Sequence, residues 1–184
     1  MRNTAIAALI AFALGGLSAY AVLAPSRPPH EHVKSNGPGW IETRWPFPMD
    51  EWGVGKAFRC GADACGSEVS LYIRAKVGFC NCSTGVSDDD ELDRLSDFRL
   101  MGDAPAVLGS GHPITVSWMN GRSRAYAVAK SEQAALAIAF NDHCDAVVAT
   151  AIIAGSDPTA AESRVLEFLN SQTITAWTKT ALGL

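Results

Sequence analysis

The sequence predicts a single α+β domain in which a mixed or antiparallel sheet is packed by two or three helices, behind an apolar N-terminal segment. Apolar and polar residues alternate over 69–77 and 114–129, which is typical of half-buried strands. Helix-like segments lie between and after these strands, without the regular strand–helix alternation of a parallel α/β fold. The chain has 184 residues, which is the length of one domain.

The first 24 residues predict export. After Arg2 the sequence continues for about twenty residues without a charge, which is long enough to cross a bilayer as a helix. The segment ends in Ala19-Tyr20-Ala21, a pattern that signal peptidase could cleave. Residues 1–24 are therefore interpreted as a cleaved signal peptide or as an inner-membrane anchor through residues 4–24. We expect the rest of the chain in the periplasm, either anchored or secreted.

Two segments precede the first cysteine. Residues 25–39 are rich in Pro, Gly and small polar residues, a composition that predicts a linker because it cannot bury a core. We expect the globular domain to occupy residues 40–184. Its first part, 40–53, contains three tryptophans, and Pro46 and Pro48 exclude a helix there. This extended arm is predicted to cover the core in preference to presenting a binding surface.

Four of the five cysteines, Cys60, Cys65, Cys80 and Cys82, flank the strand predicted at 69–77. In an oxidising compartment these four are expected to form two disulfides that staple the domain. A bond within Cys80-Asn81-Cys82 would be strained, so the simplest pairing nests Cys65–Cys80 inside Cys60–Cys82. The remaining cysteine, Cys144, is the candidate for a buried free thiol.

The same four cysteines permit two other interpretations. Four thiolates could bind zinc or copper, although the spacings C-x4-C and C-x-C are looser than the C-x2-C knuckle of structural zinc sites. A thiol-redox protein that uses Cys80 and Cys82 is the second alternative. The C-x-x-C motif expected of a thiol oxidoreductase is missing from the sequence.

An acidic run at 87–93 predicts the start of a helix. Ser87 is the expected N-cap, and residues 88–91 would occupy the first turn, where carboxylates are favoured by the helix dipole. The run lacks the alternating Asp or Asn residues and the distal Glu of a calcium loop. It is therefore predicted to be a capped helix and not an ion site.

The dipeptide Asn120-Gly121 stands between two alternating segments and predicts a type I′ hairpin over 114–129. A two-residue loop at this position pairs Met119 with Arg122. One face of the hairpin is then apolar, and the opposite face carries Arg122, Arg124 and Tyr126. This polar face is a possible interaction face for an acidic ligand or protein, with a solvated sheet face as the simpler alternative.

The C-terminal third predicts two or three further elements. Apolar residues spaced over 136–143 predict a helix that begins after Ser131, and the β-branched run 146–153 predicts a buried strand, with continuation of the helix as the alternative. Asp157-Pro158 is a typical helix start. The buried stripe of that helix is predicted to be Ala161, Val165, Phe168 and Leu169, and a short amphipathic segment around Trp177 follows it.

Composition and motifs exclude several classes of function. The net charge of −4, with no basic stripe, argues against nucleic-acid binding. Catalysis is not expected, because the sequence has no G-x-S-x-G, no phosphate-binding glycine loop and no H-E-x-x-H motif. The sequence therefore predicts an exported, membrane-tethered periplasmic domain with a non-catalytic protein-binding or accessory role in the cell envelope. Its expected partner is another envelope protein.

Overall fold

The computed structural model describes residues 39–79, 81–102, 105–128, 131–155 and 157–184. The predicted signal or anchor, most of the predicted linker and Cys80 lie outside these ranges. In the described part, no helix is long and apolar enough to span a bilayer. The strands are β1 Trp40–Thr43, β2 Lys56–Cys60, β3 Val69–Lys76, β4 Ala106–Val107, β5 His112–Val116, β6 Met119–Ala127, β7 Gln133–Asp142 and β8 Asp145–Ala154. The helices are α1 Ala62–Cys65, α2 Asp89–Leu95, α3 Thr159–Leu169 and α4 Gln172–Leu182, with a 3-10 turn at Phe98–Met101.

The eight strands form one sheet in the order β1-β2-β3-β8-β7-β6-β4, and β5 also pairs with β6. Every pairing between these strands is antiparallel. The predicted α+β class is therefore confirmed, and the sheet is of the antiparallel kind. The longest continuous pairings join β7 to β8, β3 to β8 and β6 to β7. Strands β3, β7 and β8 carry buried apolar residues on one face of the sheet, and β7 and β8 carry them on the opposite face as well.

One face of the sheet, which we call the helical face, is covered by α3 and α4. Phe58, Leu71, Ile138 and Ile153 are buried on it. Trp40 stacks on Phe168 of α3 with ring centroids 4.5 Å apart. Each Å² of apolar side-chain surface that is removed from water here stabilises the folded state by about 25 cal/mol. The predicted stripe of α3 is confirmed, since all four of its residues are buried: Ala161, Val165, Phe168 and Leu169.

The opposite face, which we call the lid face, is covered by α2 and by the loops on either side of it. Leu92 and Leu95 of α2 are fully buried against Ala137 and Val148 of the sheet. Asp88 forms the N-cap of α2, because its carboxylate accepts a hydrogen bond from the Glu91 amide over 2.8 Å. The predicted helix is therefore present, and its N-cap lies one residue after the expected cap, Ser87.

The helix predicted after Ser131 is wrong, since this segment is strand β7. Leu136, Ile138 and Phe140 point to the helical face, while the alanines between them point to the lid face. A central strand that is buried on both faces has no polar residues to mark a two-residue period. The large side chains of β7 therefore happen to be spaced along the sequence as they would be on one face of a helix. The buried strand predicted at 146–153 is confirmed as β8.

The predicted hairpin is present, but the position predicted for its turn, Asn120-Gly121, is wrong. The loop is Ser117-Trp118, with Ser117 at φ 57°, and Val116 pairs with Met119. Gly121 lies inside β6 opposite Phe140, where a Cβ atom would stand 2.1 Å from the carbonyl oxygen of Ala139. Close approach of a neighbouring strand, and not a turn, therefore requires glycine at this position.

Candidate functional site

A cluster of buried charges lies on the lid face, at the end of β3. Arg74 and Lys76 are on this face because they alternate with the apolar residues of the helical face. Both side chains are buried, and two carboxylates approach them from different loops. Asp97 follows α2, and Asp50 belongs to the arm that joins β1 to β2.

Arg74 is the centre of the cluster. Its Nε and Nη2 atoms donate to the two oxygens of Asp97, each over 2.6 Å, in a bidentate pair. Its Nη1 donates to both oxygens of Asp50 over 2.7 Å. Asp50 also accepts from the amide of Trp52. One guanidinium therefore fixes the arm and the end of α2 against the same strand, which is a geometry that only the planar fork of arginine permits.

Lys76 occupies the inner wall of the same cluster. Its ammonium donates to the carbonyl oxygen of Leu95 over 2.7 Å and lies 2.9 Å from Asp97. The nitrogen also lies 5.9 Å from the ring centroid of Trp52 and 5.4 Å from that of Phe79. Oxygen and aromatic groups thus surround the cation, which is the arrangement that a charge removed from water requires.

The surroundings change the ionisation of these groups in different directions. Burial lowers the pKa of Lys76, and the charge of Asp97 offsets this only in part. Burial also acts against the charge of Arg74, but the hydrogen bonds to Asp97 and Asp50 outweigh it and raise the pKa of the guanidinium. The hydrogen bonds from Arg74 lower the pKa of Asp50.

These residues line an open cleft of about 380 Å³, which we call the charged cleft. The rings of Trp52 and Phe79 form its aromatic wall, with centroids 4.8 Å apart, and the Arg94 guanidinium lies 5.0 Å from the Phe79 ring. Exposed aliphatic side chains stand within three residues of these rings in the sequence. We call them the apolar rim: Met49, Val54 and Val77, which are 76%, 64% and 56% exposed.

The predicted arm packs against the sheet and also exposes some of its side chains to solvent. Trp45 and Phe47 pack edge to face with each other and with Tyr72 of β3, at centroid distances of 5.2, 6.2 and 4.9 Å. Met49 is the most exposed large apolar side chain of this arm, at 76%. The arm therefore covers part of the lid face with Trp45 and Phe47, contributes Asp50 and Trp52 to the charged cleft, and exposes Met49 to solvent.

The predicted pairing of the cysteines is wrong. Cys60 bonds to Cys65 across α1, and Cys82 bonds to Cys144 in the turn between β7 and β8. Cys144 is therefore not a free thiol. The expectation that disulfides stabilise the domain is confirmed. Sequence separation favoured partners within 58–82, whereas antiparallel pairing of β3 with β8 brings the residues after β3 to the β7–β8 turn.

The two alternative cysteine sites conflict with these bonds. The proposed zinc or copper site requires free thiolates at Cys60, Cys65 and Cys82, and all three sulfurs are oxidised. No group of three or more metal-binding side chains occurs among the described residues. The proposed Cys80–Cys82 redox pair also conflicts with the structure, because the partner of Cys82 is Cys144.

The possible interaction face on β6 is occupied by the chain's own acidic helix. Arg122 donates to Asp89, and Arg124 donates to Asp93 over 2.9 Å. The hydroxyl of Tyr126 donates to the same Asp93. Burial, reinforced by this hydrogen bond, raises the pKa of the Tyr126 phenol. The three residues share a face as predicted, but an intramolecular partner covers that face.

Sequence reasoning missed the charged cleft. The alternation over 69–77 identified β3 as a strand but gave no reason to expect that Arg74 and Lys76 are buried. Two cations on one strand face, together with a carboxylate at the end of a capped helix, are a signal that could have suggested a buried charge cluster. Their partners lie 23 or 24 residues from Arg74 in the chain, so the pairing itself is decided by the fold.

Comparison with known proteins gives little similarity. No protein-family model matches the chain, and no curated protein matches its sequence. Among solved structures, the domain is similar to the solution structure of cyanobacterial PsbP (CyanoP) from Synechocystis sp. PCC 6803. That similarity has a TM-score of 0.42 and 14% sequence identity, over 71% of this chain and 78% of the other.

Proposed function

We propose that this chain is an exported, non-catalytic domain that binds another protein of the cell envelope through the apolar rim of the charged cleft. The observation that carries the proposal is the exposure of Met49, Val54 and Val77, each two or three residues along the chain from Trp52 or Phe79, whose rings form the aromatic wall of the cleft. Aromatic and aliphatic side chains at the centre of a patch, with arginine beside them, have the composition of protein–protein interfaces.

Two disulfides support the exported location. Cysteines 62 residues apart, Cys82 and Cys144, bond persistently only where thiols are oxidised. This agrees with the apolar N-terminal sequence. Extraction of the protein from cells in the presence of an alkylating reagent tests the location, because an exported chain keeps both bonds and shows none of these four cysteines alkylated. Alkylation of Cys60, Cys65, Cys82 and Cys144 in the fresh extract would contradict export.

The state of the ionisable groups supports a binding role over a catalytic one. Arg74, Lys76, Asp50 and Asp97 satisfy one another, and their charges hold loops in place. Groups engaged in this way make a rigid base beneath an exposed rim. A rigid base reduces the entropy lost when a partner binds, which favours the use of the rim as an interface.

Site-specific photo-crosslinking in intact source cells tests the partner. A photoreactive amino acid at Val77 is expected to trap one discrete partner, whereas the same group at Ser163, exposed on α3, is not. Met49→Asp or Val54→Asp should abolish the Val77 product, because a charge in the rim must be desolvated on binding. The proposal is contradicted if position 163 gives the same product, or if the rim variants leave the Val77 product unchanged.

A further inference from the structure

The turn between β5 and β6 uses residues that a two-residue hairpin turn does not favour. Such turns prefer Asn-Gly, because their central residues take positive φ. Here the turn is Ser117-Trp118, and Ser117 has a φ of 57°, where a residue with a side chain is strained. Val116 and Met119 on either side of the turn are buried, whereas Trp118 is 41% exposed. The fold therefore presents a large aromatic residue to solvent at a position that turn geometry does not favour.

The neighbouring turn, between β7 and β8, shares this feature. It is His143-Cys144, and His143 has a φ of 52°. Within the described part of the chain, Ser117 and His143 are the non-glycine residues with positive φ. Asp142 joins the two turns, because its Oδ2 accepts from the Trp118 indole over 3.2 Å and its Oδ1 lies 2.7 Å from the His143 ring. Strained residues that cluster in this way are typical of functional sites, which makes the two turns together a candidate site.

The indole of Trp118 is held in place from several sides. Asp142 bonds its N–H group, and the Lys179 ammonium of α4 lies 5.2 Å from its ring centroid. The Ser117 amide donates to Oδ1 of Asn170 over 2.8 Å, and the Asn170 side chain also donates to a carbonyl of α3. Groups that are fixed before a ligand arrives lose little entropy on binding. We call Trp118, Asp142 and Lys179 the indole platform.

The chemistry around the indole fits a sugar ring. A pyranose with equatorial hydroxyl groups has a flat face of C–H groups and an edge of hydroxyls, so it requires an apolar plane bordered by hydrogen-bonding groups. The indole is such a plane. The Asp142 carboxylate has lone pairs beyond those that Trp118 and His143 use, and the Lys179 ammonium has three N–H donors.

A protein partner fits this surface less well. The core of a protein interface contains several aromatic and aliphatic side chains. Among the described residues, no second aromatic ring pairs with Trp118, and the groups that bond its edge and its face, Asp142 and Lys179, are charged. A single aromatic plane between charged groups therefore favours a ligand whose own edge is polar.

We propose that the indole platform binds one pyranose unit of an oligosaccharide, which stacks on Trp118 while its hydroxyl groups bond to Asp142 and Lys179. The platform shares no residue with the apolar rim, so this site does not rest on the protein-binding role proposed above. A single stacked unit gives weak binding, and we expect a dissociation constant of about 1 mM.

The first test measures binding at each indole. Nuclear magnetic resonance of the purified full-length protein is recorded during titration with cellotetraose, which offers hydroxyl groups alone, or with chitotetraose, which adds N-acetyl groups. The Trp118 indole N–H signal should shift with at least one of the two, while the signals of the other four tryptophans stay in place. An unmoved Trp118 signal at about 10 mM of each sugar, tenfold above the expected constant, would overturn the proposal. Equal shifts at all five indoles would overturn it as well.

The second test uses matched variants, with binding measured from the backbone amide signals of the two turns. Trp118→Ala should weaken binding at least about tenfold, whereas Trp118→Phe keeps a flat ring and should stay within about threefold of the parent. Lys179→Met keeps an unbranched side chain beside the indole but removes the N–H donors, so binding should weaken about threefold. Met49→Asp, in the apolar rim, should leave sugar binding unchanged, which separates a failure of this site from a failure of the rim.

Two results with the variants would refute the assignment: equal binding by Trp118→Ala and the parent, or loss of sugar binding in Met49→Asp. A third result would assign the platform to a different ligand. If a photoreactive amino acid at Ser117 traps a discrete protein in intact source cells, the occupant of the platform is a protein and the saccharide assignment is wrong.

Discussion

Substitution of Asp97 should destabilise the domain more than substitution of Arg74 or Asp50 in the same charge cluster. Asp97 accepts two hydrogen bonds of 2.6 Å from Arg74 and lies 2.9 Å from Lys76. Asp97→Asn leaves two buried cations with only Asp50 nearby, and the new amide group points N–H donors at other donors. Removing one partner of a buried pair typically costs about 3–5 kcal/mol, and we expect Asp97→Asn in this range.

The other two positions provide matched comparisons. Arg74→Met leaves Asp97 paired with Lys76 and leaves Asp50 one-quarter exposed, so we expect an intermediate loss of about 2–3 kcal/mol. Asp50→Asn leaves the bidentate pair of Arg74 and Asp97 intact, and its side chain reaches solvent. A loss of about 1 kcal/mol is expected there.

Urea unfolding followed by tryptophan fluorescence measures all three losses. The urea concentration at the unfolding midpoint should be highest for Asp50→Asn, lower for Arg74→Met and lowest for Asp97→Asn. The slope of the unfolding free energy against urea concentration should not change. Because the pair is buried, added salt should change these differences little. An Asp50 variant as destabilised as the Asp97 variant would refute the burial argument, as would a set of losses that disappears in high salt.

Three further predictions concern the framework. Replacing Cys82 and Cys144 by alanine should reduce the free energy of unfolding by about 4 kcal/mol, against about 2 kcal/mol for the other disulfide. The reason is that the entropy lost by the unfolded chain increases with the length of the closed loop, and the two cysteine pairs are 62 and 5 residues apart. Equal losses in denaturant titrations would contradict this prediction. The hydrogen bond from Arg122 lowers the pKa of Asp89 below its ordinary value of 3.8. The contribution of Asp89 to stability is therefore complete above that pH and is lost as the pH falls through the lowered pKa. Asp89→Asn should remove this pH dependence in acid titrations, and an unchanged acid transition would contradict the assignment. Gly121→Ala should reduce the free energy of unfolding by about 1–3 kcal/mol in thermal or urea unfolding, because the added Cβ meets the backbone of the neighbouring strand. Gly61→Ala has open space around the added Cβ and should change the free energy of unfolding by no more than about 0.5 kcal/mol. Similar effects at both glycines would refute the packing argument.

Local sequence signals predicted the elements that have one polar and one apolar side. The stripe of α3 was identified because Asp157-Pro158 marks its start and its apolar residues keep helical spacing. The acidic run before Leu92 identified α2 for the same reason, since capping and dipole effects act within a single turn. Strand β3 was identified from its alternation. In each case the physical cause lies within a few residues of its effect.

The missed elements lack such local causes. Strand β7 is apolar on both faces because it lies in the middle of the sheet, so its own residues do not record its period. Gly121 resembled a turn residue, but the nearby backbone of β7 explains it. Cys144 bonds to Cys82 because the pairing of three strands brings two distant loops together.

The sequence by itself predicted the α+β class, helices α2 and α3 and the presence of disulfides, because these depend on composition and on contacts along one segment. Only the tertiary structure decided the partners: which cysteines bond, which carboxylates neutralise Arg74 and Lys76, and which helix covers Arg122, Arg124 and Tyr126. The physical reason is that a long-range contact is fixed by the order and register of strands. That order results from burial summed over the whole sheet, and no single residue carries it.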